Sequence, residues 1–261
     1  MAEYQYLGVS TEEKICTLTI SNPPANLLSR AVLIELNTFL EDLTQNNAEV
    51  KVLLITGAGA YFIVGADIQE IANIHGEAKG TEASKLGQMV INKLENLPVP
   101  TIAVINGHCL GGGNELVMAC TIRIAKERAR FGQPEVNLGI LPGFGGTQRL
   151  PRLVGLSKAT ELMIIGDMIN GKEAAAIGLI NLVVPESELM KQAQGMAKKI
   201  ASKGKPAVQR ILTLAREAMT LPLAEGLEHE SKLFGELCAT QDKEEGLAAF
   251  LEKRRPKFQD R

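Results

Sequence analysis

Two short runs, "KVLLIT" at residues 51–56 and "VPTIAVING" at 99–107, are apolar with little alternation and lead into glycine. A strand wet on one face alternates polar and apolar side chains. Runs of this kind therefore fit strands buried on both faces. "ICTLTI" (15–20) has the two-residue period of a strand, and "TIRIA" (121–125) and "INLVV" (180–184) are further candidates. Between the first two runs, Ser29 suits the N-cap of a helix with Val32, Leu33, Leu36, Phe39, Leu40 and Leu43 on one stripe. Strand and helix go on alternating to about residue 185, which predicts an α/β core of repeated strand–helix units.

After Pro185 the pattern changes. "ESELMKQAQGMAKKIASK", "PAVQRILTLAREAM" and "AEGLEHESKLFGELC" are helical in period with no strand between them. Residues 1–185 are thus expected to form the core. Residues 186–261 would form a C-terminal helical region that covers the core or joins subunits.

The 261 residues are 45% hydrophobic and 22% charged, enough to bury a real core. A formal charge of −2 gives no electrostatic footprint for nucleic acid or for an anionic membrane, so neither is an expected partner. An RNA-binding or purely structural role is disfavoured on the same ground. No apolar run reaches the ~20 residues of a membrane helix. The acidic start "MAEYQYLGVSTEEK" lacks the apolar segment of a secretory signal, which makes the cytoplasm the expected location. Cys16, Cys109, Cys120 and Cys238 are scattered and read as buried thiols. With His75, His108 and His229 equally dispersed, no metal site is expected.

The chemistry-bearing signal is "GHCLGGGNELVMAC", residues 107–120. It lacks the lysine of a phosphate-binding GxxxxGK[ST] loop, and "GAGAYF" and "GFGGTQ" miss the last glycine of a dinucleotide fingerprint. No GxSxG supports a serine nucleophile. If "TIAVING" is a strand and "NELVMAC" a helix, the glycines sit at the junction, where the first helical N–H groups lack intrahelical acceptors. Gly111, Gly112 and Gly113 would let a ligand atom approach those donors, as a developing oxyanion requires, with Glu115 nearby on the first turn. A tight turn with a glutamate matched to the helix dipole fits these residues equally well. Glu135, in the weakly polar segment "FGQPEVNLGILPGFGGTQRL", is a candidate for a raised pKa and general-acid duty, or else a surface loop residue. A third glycine junction, "YFIVGADIQEI" (61–71), suggests one site assembled at strand ends.

Together these segments resemble the crotonase superfamily, the enoyl-CoA hydratases and isomerases. "FIVGADI", "NGHCLGGGNEL" and "FGQPEVNLGILPGFGGTQRLPRLVG" match its motifs, and "KLFGELCATQDKEEGLAAFLEKRRPKF" is similar to its C-terminal helix. The resemblance implies a crotonase-like spiral of ββα units with a C-terminal helical region for capping and trimerisation. It implies backbone oxyanion donors at Ala66 and Gly112, and catalytic carboxylates at Glu115 and Glu135. Val64, Gly65, Ala66, Asp67, Ile68, Gly111, Gly112, Pro134 and Gly143 would contact an acyl-CoA thioester. No metal or other cofactor is implied, since coenzyme A enters as part of the substrate. The expected assembly is a homo-oligomer, trimer or hexamer.

Isomerases of this superfamily generally lack one of the two acids. Their joint presence favours hydration of a trans-2-enoyl-CoA, with Δ3-Δ2 isomerisation or another acyl-CoA lyase reaction as the alternative. Ile63-Val64 is bulkier than the small pair common before the glycine, Thr121 replaces a common aspartate, and "FIVGADI" and "LPGFGGT" look more like the hydratase part of multifunctional fatty-oxidation proteins. For the tail "EKRRPKF", a solvated helix end competes with contact to CoA phosphates through Lys253 or Lys257.

Overall fold

A computed structural model describes residues 4–261, so the first three residues of the acidic start lie outside the described residues. The chain opens with an antiparallel hairpin of β1 (Leu7–Glu12) and β2 (Ile15–Ile20). The helix α1 (Arg30–Asn46) follows, and Ser29 caps it by accepting from the Val32 N–H, as the sequence suggests. Its six stripe residues are all buried.

Three similar turns of chain come next. The first runs β3 (Val52–Gly57), β4 (Ile63–Val64), α2 (Ile68–Ala72) and α3 (Glu77–Glu95). The second runs β5 (Thr101–Ile105), β6 (Cys109–Leu110) and α4 (Gly112–Met118). The third runs β7 (Ile122–Lys126), β8 (Arg130–Gly132), a 3₁₀ turn at Pro134–Leu138, α5 (Gly146–Val154) and α6 (Leu156–Ile165). After them come β9 (Ile169–Asn170), α7 (Gly171–Ala176) and β10 (Leu182–Val184). Each turn gives its long strand to a six-stranded sheet, β1-β2-β3-β5-β7-β10, and its short strand to a second sheet, β4-β6-β8-β9. Beyond the hairpin the large sheet is parallel throughout.

The apolar runs are explained by burial on two sides. Leu53, Ile55, Ala103 and Ile105 face the interior of the spiral with the α1 stripe. Val52, Leu54, Ile102, Val104 and Ile124 face outward, onto α8 (Leu189–Ala201). The α8 contact is made by Leu189, Ala193 and Ala197, spaced four apart, and the two alanines let the helix lie close on the sheet. Full burial of a leucine such as Leu54 stabilises by about 1.5–3 kcal/mol. The three remaining helices are α9 (Lys205–Glu217), α10 (Leu223–Cys238) and α11 (Gln241–Leu251). No helix among the described residues is long and apolar enough to cross a membrane.

Two readings need correction. The strand "TIAVING" does not run straight into the glycine-rich helix: it ends at Ile105, and β6 intervenes in the other sheet. At the break the Asn106 side chain accepts from the Gly57 N–H and donates to the Gly57 carbonyl. Of the four thiols, Cys16, Cys109 and Cys120 are buried, but Cys238 is exposed because α10 buries none of its residues.

Candidate active site

The small sheet builds the site through its register. Val64 pairs with Leu110, and Leu110 with Gly132, at the ends of three parallel strands. Two residues further along each chain stand Ala66, Gly112 and Pro134, with Glu135 next. The three segments singled out in the sequence therefore leave one sheet edge side by side. Close approach confirms it: a Cβ on Gly111 would lie 3.6 Å from the Gly65 Cα and 2.7 Å from Glu135 Oε1. Gly111 also has φ +50°, a region that L side chains rarely adopt.

Gly112 is the first residue of α4, so its N–H has no intrahelical acceptor. Among the described residues neither the Gly112 N–H nor the Ala66 N–H donates to any protein group. They are two free main-chain donors at matching positions just beyond the ends of adjacent strands. Leu28 secures one of them, its N–H bonding the Gly65 carbonyl at 2.9 Å.

Glu115 is 1% exposed on the first turn of α4. Its Oε1 accepts from the N–H groups of Phe144 (2.8 Å) and Gly146 (2.7 Å). Burial raises its pKa to about 7; the two N–H bonds and Arg149 oppose the rise and the Glu135 charge adds to it. Glu135 sits in the 3₁₀ turn, half-buried, with Oε2 enclosed and unpartnered. Burial raises its pKa as well, opposed only by its own backbone N–H. One carboxylate is thus cradled by two donors from a neighbouring loop, and the other has only its own backbone N–H.

The remaining residues expected at the site are placed as follows. Gly65 has φ +87°, half-buried between Val64 and Ala66. Asp67 uses its side chain to cap α2, accepting from the Gln69 N–H at 2.8 Å, and Ile68 is exposed. Pro134 opens the 3₁₀ turn. Gly143 lies at the far side of Glu115, its carbonyl accepting from Ser84 Oγ (2.6 Å) and Gln88 Nε2 (3.0 Å) of α3. In the tail, Arg254 pairs with Glu245 and Glu252, and the Lys257 N–H bonds Glu245, tying this segment to α11.

Sequence reasoning missed several supports. The fully buried Gln133, with its amide nitrogen toward the main chain, donates to the carbonyls of Gly111 (3.2 Å) and Gly132 (3.1 Å) and so joins two of the three segments. Its signal in the sequence was a lone amide between glycine and proline in "FGQPE". Arg149 braces the loop that holds Glu115, bonding the Phe144 carbonyl at 3.3 Å while Glu95 and Asn92 of α3 hold its other nitrogens. The Phe144 and Gly146 N–H groups carry no signature in a sequence at all.

Known proteins resemble this chain over nearly its full length. Residues 10–261 match the family model described as enoyl-CoA hydratase/isomerase. A probable enoyl-CoA hydratase of Bacillus subtilis is 43% identical over 97% of this chain and 98% of its own. A crotonyl-CoA hydratase of Syntrophomonas wolfei is 44% identical over 98% of both chains. The crystal structure of an enoyl-CoA hydratase from Bacillus anthracis superposes with a TM-score of 0.94 at 38% identity, covering 98% of this chain and 100% of that one. With the fold, the strand-edge site and the full-length match in agreement, the chain belongs to the enoyl-CoA hydratase/isomerase family.

Proposed function

We propose that this protein is an enoyl-CoA hydratase, adding water reversibly and syn to a trans-2-enoyl-CoA to give a 3-hydroxyacyl-CoA. The observation that carries the reading is the convergence of Glu115 and Glu135 on the strand edge that presents the free Ala66 and Gly112 N–H groups. Relatives named crotonyl-CoA hydratase and short-chain-enoyl-CoA hydratase, at 44% and 43% identity, support a short acyl chain.

The thioester oxygen accepts from the two main-chain donors. As water adds to Cβ, negative charge develops on that oxygen, and fixed donors stabilise it without reorganisation. Glu115 Oε1 is already occupied by two N–H groups, which leaves Oε2 to take a proton from water. A carboxylate held by donors and titrating near neutrality is suited to act as a base. Glu135, enclosed and poor in donors, favours its protonated form and delivers a proton to Cα. The hydroxyl from water and the proton from Glu135 add to one face of the double bond, and the proton taken up by Glu115 passes to Glu135 through the next water, which restores both acids. Dehydration runs the same steps backward, with Glu135 removing the Cα proton. Coenzyme A enters as part of the substrate, and no step needs another cofactor.

A homo-oligomer, trimer or hexamer, accompanies this reading. Its support is the exposed apolar row Leu223, Leu227 and Phe234 along α10.

The experiment is loss of the conjugated-thioester absorbance of crotonyl-CoA and of longer homologues. Turnover on short chains is expected; no turnover at any chain length would refute the proposal.

A further inference from the structure

The loop that holds Glu115 is seated on α3 by one aromatic ring. Gly87, fully buried in the middle of α3, faces Phe144, and a methyl at Gly87 would overlap the ring along its Cγ–Cδ1–Cε1 edge. The opposite edge of the ring faces the oxyanion loop. A Cβ on Gly112 would lie 3.2 Å from Phe144 Cδ2 and 3.3 Å from Cε2, with Leu28 Cδ1 at 3.4 Å. The ring thus lies between α3 and the first residue of α4, close enough to both that a methyl at either glycine would have to displace it. The same residue's N–H binds Glu115 Oε1. Its neighbour Gly143 is fixed to α3 by Ser84 and Gln88, and its own carbonyl by Arg149.

We propose that Phe144, seated in the Gly87 notch, is a positioning residue that sets the Gly112 N–H and the Glu115 carboxylate to one common geometry. This rests on the hydratase reading above. It assigns α3, which contributes no group to the reaction, the task of keeping donor and base in step. The arrangement explains why a glycine interrupts α3 at a site where a helix would otherwise favour a larger residue.

The test is a mutant cycle of Gly87→Ala, Phe144→Leu and their combination. Gly87→Ala displaces the ring, and kcat is expected to fall about 10- to 100-fold, the scale of a sub-ångström to 1 Å misplacement, with KM nearly unchanged. Phe144→Leu frees the notch, so adding Gly87→Ala to it should cost little more. A non-additive cycle of this kind is the signature of one shared contact.

Direct ¹³C titration of the Glu115 carboxyl, assigned with Glu115→Gln, supplies a readout independent of turnover. Glu135 and Arg149 are the charged groups acting on this carboxyl, and neither is altered in these variants. Gly87→Ala should therefore raise the Glu115 titration by loosening its N–H bonds. Additive losses, or a stationary Glu115 titration in Gly87→Ala, would overturn the proposal. If wild-type protein hydrates no enoyl-CoA while the titration still moves, the hydratase reading fails and the positioning survives.

Discussion

Glu115 is where the two demands on this protein meet. A carboxylate this deeply buried resists ionising, and two N–H donors only partly offset that cost. In the unfolded chain the group titrates near the usual glutamate value, whereas in the fold it titrates at about 7. The native state therefore holds the extra proton between those limits. The stability this gives is complete below the unfolded pKa and is lost as pH rises through about 7. Glu115→Gln keeps an acceptor for both N–H groups and removes the charge. It should gain stability over wild type by on the order of 3 kcal/mol above neutrality and little at pH 4, read by urea unfolding at the two pH values. The same variant, and Glu135→Gln separately, should lose about 10²- to 10⁴-fold in kcat on crotonyl-CoA while still binding the ester. An undiminished rate in either would remove that residue from the mechanism. Both acids were visible in the sequence because side chains are what a sequence spells out. The groups that hold Glu115 were not, since the Phe144 and Gly146 N–H donors exist at nearly every residue and matter here only through the path of the loop.

At the scale of elements, the long strands and α1 were legible because their burial patterns repeat. The unalternating runs required cover on both faces, and α8 supplies the outer one. The small sheet was not legible. β4 and β6 are two residues each, shorter than any period, and they are defined by partners more than twenty residues away in sequence. That sheet is nonetheless what aligns Ala66 with Gly112. The sheet–helix contact makes its own prediction. Ala193 is fully buried against the outer face of the large sheet, so Ala193→Leu forces α8 off its seat. A loss of about 1–3 kcal/mol is expected in urea denaturation, with the midpoint shifted and the slope retained. An unchanged midpoint would show that α8 packs loosely there.

The whole molecule leaves one surface unfinished. Along α10, Leu223 is 79% exposed and Phe234 68%, and α11 adds Phe250 at 80%. Apolar rows of this size on a stable protein usually meet another surface. Under the oligomer proposal, Phe234→Glu should lower the mass seen by light scattering toward that of one chain; an unchanged assembly would place the interface elsewhere. The register of the small sheet has a different kind of consequence. Under the hydratase proposal the oxyanion donors belong to the main chain, so ordinary side-chain replacement would leave them in place, and only proline would delete one outright. On that reading the frame that polarises a thioester is indifferent to most substitutions around it, while the proton-moving groups are two side chains open to exchange. New reactions on acyl thioesters should be reachable from this protein by altering Glu115, Glu135 and the loop around Phe144 that holds Glu115, without rebuilding the fold.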